Sequence, residues 1–248
     1  MSTRTPRRGP QSSLRNLTPR RTLLVLGIAL FAWLLVPGLG PNLLGLPEPG
    51  RSEITGENTD FLTQLSELEV VEQVDAPAYK RAEFGNGWAD LDGDGCNTRN
   101  EILARDLEDV TFREGTGNCV VETGVLYEPY TGDTVKFVRG PETSALVQID
   151  HVVALGNAWY AGAWEWDATR RLEFANDPLN LLAVDGNANY EKSAHAADRW
   201  LPSYKDSRCE FAARQVAVKS RWELSVTSKE ATTLAGILET CPQVTLSE

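Results

Sequence analysis

The sequence predicts an α+β fold stapled by disulfides. Three observations predict it. Two short β-rich apolar runs, at 146–155 and 179–184, stand apart from stretches with helical spacing. Helix-like segments flank those runs on both sides. Cys96, Cys119, Cys209 and Cys241 form an even set without a C-x-x-C pair, which argues for disulfides and against a zinc ribbon or thioredoxin-like site.

Taken in order, residues 47–58 (LPEPGRSEITGE) read as a linker, polar and rich in Pro and Gly. Phe61, Leu65, Leu68 and Val71 follow helical spacing and predict a helix over 59–73. A loop-rich stretch around Trp88 to Asn97 precedes a short helix from Thr98 to Leu107. Residues 119–138 alternate, with turn signals at Thr123-Gly124 and Tyr130-Thr131-Gly132-Asp133, and predict short strands or a hairpin. Leu146 to Leu155 (LVQIDHVVAL) should be a strand. Residues 157–175 are helical in tendency; core packing is expected for Trp159, Trp164 and Trp166 in preference to base stacking. Leu179 to Val184 is a second strand, followed by a helix from about Ala188 to Trp200 that Pro202 stops. Two helices, about 204–224 and 228–240, close the chain. The second opens on the capping pattern Thr227-x-x-Glu230.

The chain has 248 residues, with 42% hydrophobic and 24% charged residues. That is globular composition and excludes disorder or an all-membrane protein. The net charge of −11 argues against attachment to nucleic acid through one broad basic face, but not against a nuclease that meets phosphate through a bound cation. The charge is uneven. Residues 1–47 hold six arginines and no acid, which leaves −17 on the remainder. Residues 1–22 form a basic segment, and Leu23 to Val36 (LLVLGIALFAWLLV) is an apolar run of 14 residues. A basic leader before an apolar run marks export, with 23–46 acting either as a signal peptide or as a membrane anchor. The protein is therefore expected to be secreted or held at the outer face of the cell membrane. In that oxidising setting the sequence-local pairing, Cys96–Cys119 and Cys209–Cys241, is favoured among the three possible, because each bond then staples one region. Residues 59–248 form the functional domain.

His151 sits beside Asp150 inside the apolar strand Val147-Gln148-Ile149-Asp150-His151-Val152-Val153. Neighbours on a strand point to opposite faces, and two ionisable groups amid branched apolar residues are costly unless satisfied or used. Asn180 opens the second strand. Asn189 follows nine residues later and Lys192 three beyond that. This Asp-His, Asn, Asn, Lys spacing on strand, loop, strand and helix resembles the HNH, or ββα-metal, nuclease motif in its D-H…N…N form. A wider set of segments carries a further resemblance: WADLDGDGCNTRNEILARDL, YEPYTG, QIDHVVALGNAW, NDPLNLLAVDGNANYEK and RWLP. From about 79 to 202 the chain is similar to the secreted bacterial HNH endonuclease-like family, related to the C-terminal nuclease domain of the GmrSD type.

The resemblance implies an α+β fold around a ββα-metal core, and it implies roles. His151 is the general base that takes a proton from water. Asp150 and Asn189 hold a divalent ion, and Asn180 locks the His151 strand. Lys192, one helical turn past Asn189, reaches a phosphate oxygen. Two oxygen ligands that leave water positions open suit Mg²⁺ or Mn²⁺ better than zinc. The last ligand of this motif is often His, and here it is Asn189. His195, six residues on, is expected on the helix surface. The implied reaction is hydrolysis of DNA, with RNA as a further candidate, leaving 5′-phosphate ends.

A second cation site is legible directly. Residues 90–101 match the calcium loop D-x-D-x-D-G-x₅-E, with Asp90, Asp92, Asp94, the Cys96 carbonyl, Thr98 and Glu101 at the ligand positions. Basic residues between 199 and 229 (Arg199, Lys205, Arg208, Arg214, Lys219, Arg221 and Lys229) are either a phosphate-tracking face or plain solvated surface, and Lys80 and Arg81 add to the former. The rival to the nuclease is a non-enzymatic, calcium-stabilised module on the cell surface. No protein partner is identifiable.

Overall fold

The computed structural model describes residues 53–56, 58–72 and 74–247. The basic leader and the apolar segment 23–46 lie outside the described residues. Among the described residues no helix is long and apolar enough to cross a membrane.

The fold is α+β. Its centre is a two-stranded antiparallel sheet of β5 (Val147–His151) and β6 (Leu181–Asp185), with Asp150 opposite Leu182 and His151 opposite Leu181. The short helix α5 (Gly186–Lys192) follows β6 directly. Strand alternation sends the two faces of this sheet into two cores. Leu182 and Val184 join the larger one, with Phe174, Leu179, Phe211 and Val216. Val147, Ile149, Leu181 and Ala183 join the smaller one, with Ile102, Leu103, Leu126 and Phe137.

The smaller core is closed by α2 (Thr98–Asp106) and a three-stranded antiparallel sheet of β2 (Leu107–Phe112), β3 (Val121–Tyr127) and β4 (Thr134–Val138). Asn97 caps α2 by accepting from the Asn100 amide. The residues ending α2 also cover the open edge of β6. Arg105 donates to the Leu181 carbonyl at 2.6 Å, and Asp106 accepts from the Ala183 amide at 2.8 Å. The larger core is built by α1 (Asn58–Glu67), α3 (Leu155–Tyr160), α4 (Ala168–Ala175), α6 (Arg208–Arg221) and α7 (Ser228–Leu238). Thr227 caps α7 through the Glu230 amide, as its capping pattern predicts. The disulfides are Cys96–Cys119 and Cys209–Cys241, the sequence-local pairing. Each is expected to stabilise by ~2–4 kcal/mol through loop closure.

Several expectations shift. Part of the 47–58 linker is a strand: β1 (Glu53–Gly56) pairs antiparallel with β7 (Val244–Ser247) from the other end of the domain. Local composition carries no trace of so distant a pairing. Strand β2 escapes sequence reading because two acids, Glu108 and Asp109, interrupt it; Asp109 adopts φ +50 where the register shifts. The strand expected at 146–155 ends at His151, and α3 begins at Leu155. The helix expected to run to Trp200 ends at Lys192, where Ser193 turns to φ +49. His195 consequently lies in an exposed loop and not on a helix. Trp159 and Trp166 pack in or against the larger core, as expected.

Candidate active site

The loop after β5 turns sharply, and Asn180 makes the turn rigid. Its Oδ1 accepts from the Val153 amide at 2.8 Å, its Nδ2 donates to the Val153 carbonyl at 3.2 Å, and its own carbonyl accepts from the Val152 amide at 2.8 Å. Asn180 is fully buried. Asp177 holds the turn before it, accepting from the Leu179 amide and from the Trp222 indole N–H. Helix α6 braces the same place: Arg214 donates to the Leu179 carbonyl at 3.0 Å, and Gln215 donates to the Val152 carbonyl.

His151 is buried at the end of β5, its ring stacked on Trp88 at 5.7 Å and 12°. Its Nε2 lies 2.9 Å from the Ala175 carbonyl oxygen. A carbonyl only accepts, so Nε2 carries the proton and Nδ1 is the ring's basic atom. Burial lowers the His151 pKa to about 3, with the Arg81 and Lys192 charges acting in the same direction against the Ala175 hydrogen bond. The ring is neutral at physiological pH.

Asp150 faces the other way and is also buried. Tyr130 donates its hydroxyl to Oδ2 at 2.6 Å. The Lys192 ammonium lies 3.0 Å from Oδ1, 2.9 Å from Oδ2 and 2.8 Å from the His151 carbonyl. Burial pushes the Asp150 carboxyl up, while Lys192 and Tyr130 pull it back. Burial and the neighbouring Asp150 charge push the Tyr130 hydroxyl well up, so it stays protonated and donates. Lys192 departs from expectation. Its three hydrogens are spent on Asp150 and the His151 carbonyl, it is fully buried, and it is not free to meet a phosphate.

Asn189 lies three residues earlier on α5, half-buried. Its Nδ2 donates to Gln148 Oε1 at 2.9 Å, which leaves Oδ1 for another partner. Gly186 lets α5 start this close to β5: a Cβ there would stand 2.4 Å from the Ala145 carbonyl oxygen. Asp150, His151 and Asn189 line one cavity of about 360 Å³, with Gln148, Tyr79 and Arg81 also in its wall. Asn189 Oδ1 is an open hard donor and Asp150 a second that would share its oxygens with Lys192 and Tyr130; oxygen donors beside room for water suit a Mg²⁺-type ion, which dehydrates reluctantly and keeps several waters. They fit zinc poorly.

Residues 97–237 match the family described as GmrSD restriction endonucleases, C-terminal domain. The chain belongs to this family. A protein of Arthroderma benhamiae named "Uncharacterized secreted protein" is 37% identical over 179 residues, covering 71% of this chain and 82% of that protein. No solved structure matches. The part matched to the GmrSD C-terminal domain contains Asp150, His151, Asn180, Asn189 and Lys192. It begins after Tyr79, Arg81, Trp88 and the first carboxylates of the acidic loop.

In that loop Asp90, Asp92 and Asp94 bring carboxylate oxygens within 4.8 Å of one another. The Glu101 carboxyl is pushed up by burial and then by the charges of Asp92, Asp94 and Asp90. Thr98 departs from its expected role. Its hydroxyl is buried and donates to the Ala89 carbonyl at 2.8 Å, fastening the loop's two ends. Cys96 is tied by its disulfide to Cys119.

The basic residues of 199–229 do not form one face. Arg214 and Lys219 are fully buried, the first on Glu210 and backbone carbonyls, the second on Glu230 and the Ser225 carbonyl. Sequence reasoning missed Tyr130, Gln148 and the stacking role of Trp88. The Y-E-P-Y-T-G turn signalled only a hairpin. In it Glu128 accepts from the Tyr130 and Asp185 amides, and so ties the turn to the start of α5.

Proposed function

We propose that this protein is an exported, metal-dependent nuclease of the HNH type that hydrolyses phosphodiester bonds of nucleic acid, DNA foremost. One observation carries the reading: Asp150, Asn189 and a neutral His151 whose Nε2 is committed to the Ala175 carbonyl line the same cavity. The two disulfides and the relative's name agree with export.

His151 Nδ1 takes the proton from the attacking water as the water oxygen bonds to phosphorus and the bond to the 3′ oxygen breaks. The departing 3′ oxygen takes a proton from solvent. The Ala175 carbonyl and the Trp88 ring fix the imidazole plane. The phosphate's negative charge raises the basicity of His151 as it enters, offsetting the lowering by burial. Asn180 fixes the backbone behind the ring. Asp150 and Asn189 would hold Mg²⁺ or Mn²⁺, which when bound supplies positive charge at the phosphate and the leaving oxygen. Lys192 and Tyr130 orient Asp150 and pull its carboxyl back down against the raising by burial. Arg81, on the cavity wall, takes the phosphate contact that Lys192 cannot reach.

Plasmid nicking tests the reading. The purified protein should nick plasmid in Mg²⁺ or Mn²⁺, stop on EDTA and resume when the ion is restored. Nicking that ignores EDTA, or no cleavage of either plasmid or single-stranded DNA with any divalent ion, contradicts it.

The acidic loop is read as a structural calcium site formed by Asp90, Asp92, Asp94, the Cys96 carbonyl and Glu101. Mutual repulsion of four carboxylates disfavours the folded loop until a cation enters. Millimolar Ca²⁺ is expected to raise Tm by several degrees, since a bound ligand stabilises by about 2.7 kcal/mol at a hundredfold excess over Kd. Asp90→Ala or Glu101→Ala should erase that increment and lower metal-saturated turnover less. Melting indifferent to calcium in all three proteins would sink the assignment.

A further inference from the structure

The cavity holding His151 adjoins another. A second cavity of about 550 Å³ shares Tyr79, Gly156, Ser193 and Ala194 with it and is lined further by Asn157, Tyr160, His195 and Arg199. Among the described residues no carboxylate lines the second cavity, and the one lining the first, Asp150, is paired with Lys192. In a chain of net charge −11 this is an exception. Arg81 lines the first cavity and Arg199 the second, two cationic groups on adjoining cavities of an acidic protein, and the pair suits a polyanion.

Its remaining lining suggests what part of the polyanion it takes. Tyr160, a residue 47% exposed, lines the wall. Asn157 also lines the cavity, beside Tyr160. The volume falls in the ~300–1,000 Å³ range of sites that take a small ligand, the scale of one nucleotide.

We infer that this second cavity is a nucleotide subsite: it takes one unpaired nucleotide next to the scissile phosphate, stacking its base on Tyr160 and holding its outer phosphate with Arg199. The inference rests on the nuclease reading of the adjoining cavity and gives it a substrate form, single-stranded nucleic acid. Stacking needs an open base face, which a paired base inside a duplex does not offer.

The test is fluorescence anisotropy with a labelled, phosphorothioate single-stranded oligonucleotide in EDTA, beside a duplex of the same length. Turnover of bis(p-nitrophenyl) phosphate in Mg²⁺ is measured on the same proteins. Tyr160→Ala and Arg199→Ala should each weaken single-strand binding by about tenfold, since loss of one stacked base or one charge contact has that scale. Tyr160→Phe keeps the ring and should bind like wild type. The small diester, which does not extend into the subsite, should turn over equally in all four proteins. Binding unchanged in both alanine variants, or duplex bound as tightly as single strand, overturns the subsite. Cleavage of oligonucleotides that ignores both substitutions overturns it while leaving the nuclease intact. Binding with the expected dependence but without cleavage of any substrate keeps the subsite and sinks the nuclease.

Discussion

His151→Ala is expected to cut the rate of phosphodiester hydrolysis by about 10²–10⁴-fold, the usual contribution of a positioned general base. The residue sits at the end of a strand where the chain turns, with Nε2 committed to the Ala175 carbonyl and one face covered by Trp88. Only Nδ1 remains to take a proton. Metal binding should survive the substitution, because Asp150 and Asn189 belong to other faces and elements. The melting temperature and the Mg²⁺ dependence of oligonucleotide binding therefore serve as controls. A variant that folds and binds ion but nicks plasmid like wild type would show that the activity belongs to a contaminant or to other residues.

Lys192→Met should be the most damaging single substitution for stability. Its ammonium is sealed from water and shares three short contacts with Asp150 and the His151 carbonyl. Removing it leaves a buried carboxylate without its counter-charge, which in comparable cases costs about 3–5 kcal/mol. For a domain of this size that corresponds to a fall in Tm of roughly 6–20 °C. The double variant Asp150→Asn with Lys192→Met removes both charges together and should recover most of the loss. Thermal unfolding of the three proteins reads this out. Equal melting of Lys192→Met and wild type would mean that the ammonium does not support Asp150. The cause of catalytic loss also differs between the two lysine readings. A phosphate-binding lysine would raise KM at unchanged stability, whereas a lysine beneath the carboxylate lowers stability and metal affinity together.

The parts of this site that were legible in sequence share one physical property: a polar residue where an apolar one is cheaper. Asp150 and His151 interrupt an apolar strand, Asn180 opens another, and all three are buried. Burying them is costly unless each has a partner, so their presence announced a use. Asn189 was legible through its spacing from Asn180. Lys192 was legible as a member of the set but not in its role. A lysine in N-Y-E-K reads as solvated, and only the packing of α5 against β5 turns it inward beneath Asp150. Arg214 and Lys219 misled for the same reason, since nothing local distinguishes a buried cation from an exposed one. The candidate cavity's other walls come from segments that carry little pattern. Tyr79, Arg81 and Trp88 lie in loop and short 3₁₀ turns. Tyr130 lies in a hairpin turn whose chemistry suggested only chain reversal. For the fold, the two central strands followed from their β-rich runs and the start of α7 from its capping pattern, while their union with α5 in a ββα unit was what the family resemblance implied. The pairing of β1 with β7 did not, because it joins the domain's two ends and depends on tertiary placement alone.

The central claim is that Asp150 and Asn189 bind one divalent ion within reach of His151. Anomalous scattering from crystals grown in Mn²⁺ tests it most directly. The account predicts a manganese peak bonded to Asp150 and to Asn189 Oδ1, with waters completing the shell and Nδ1 of His151 facing the same cavity. Manganese bound only at the acidic loop, with Asp150 still closed on Lys192 and Tyr130 at saturating ion, would contradict it.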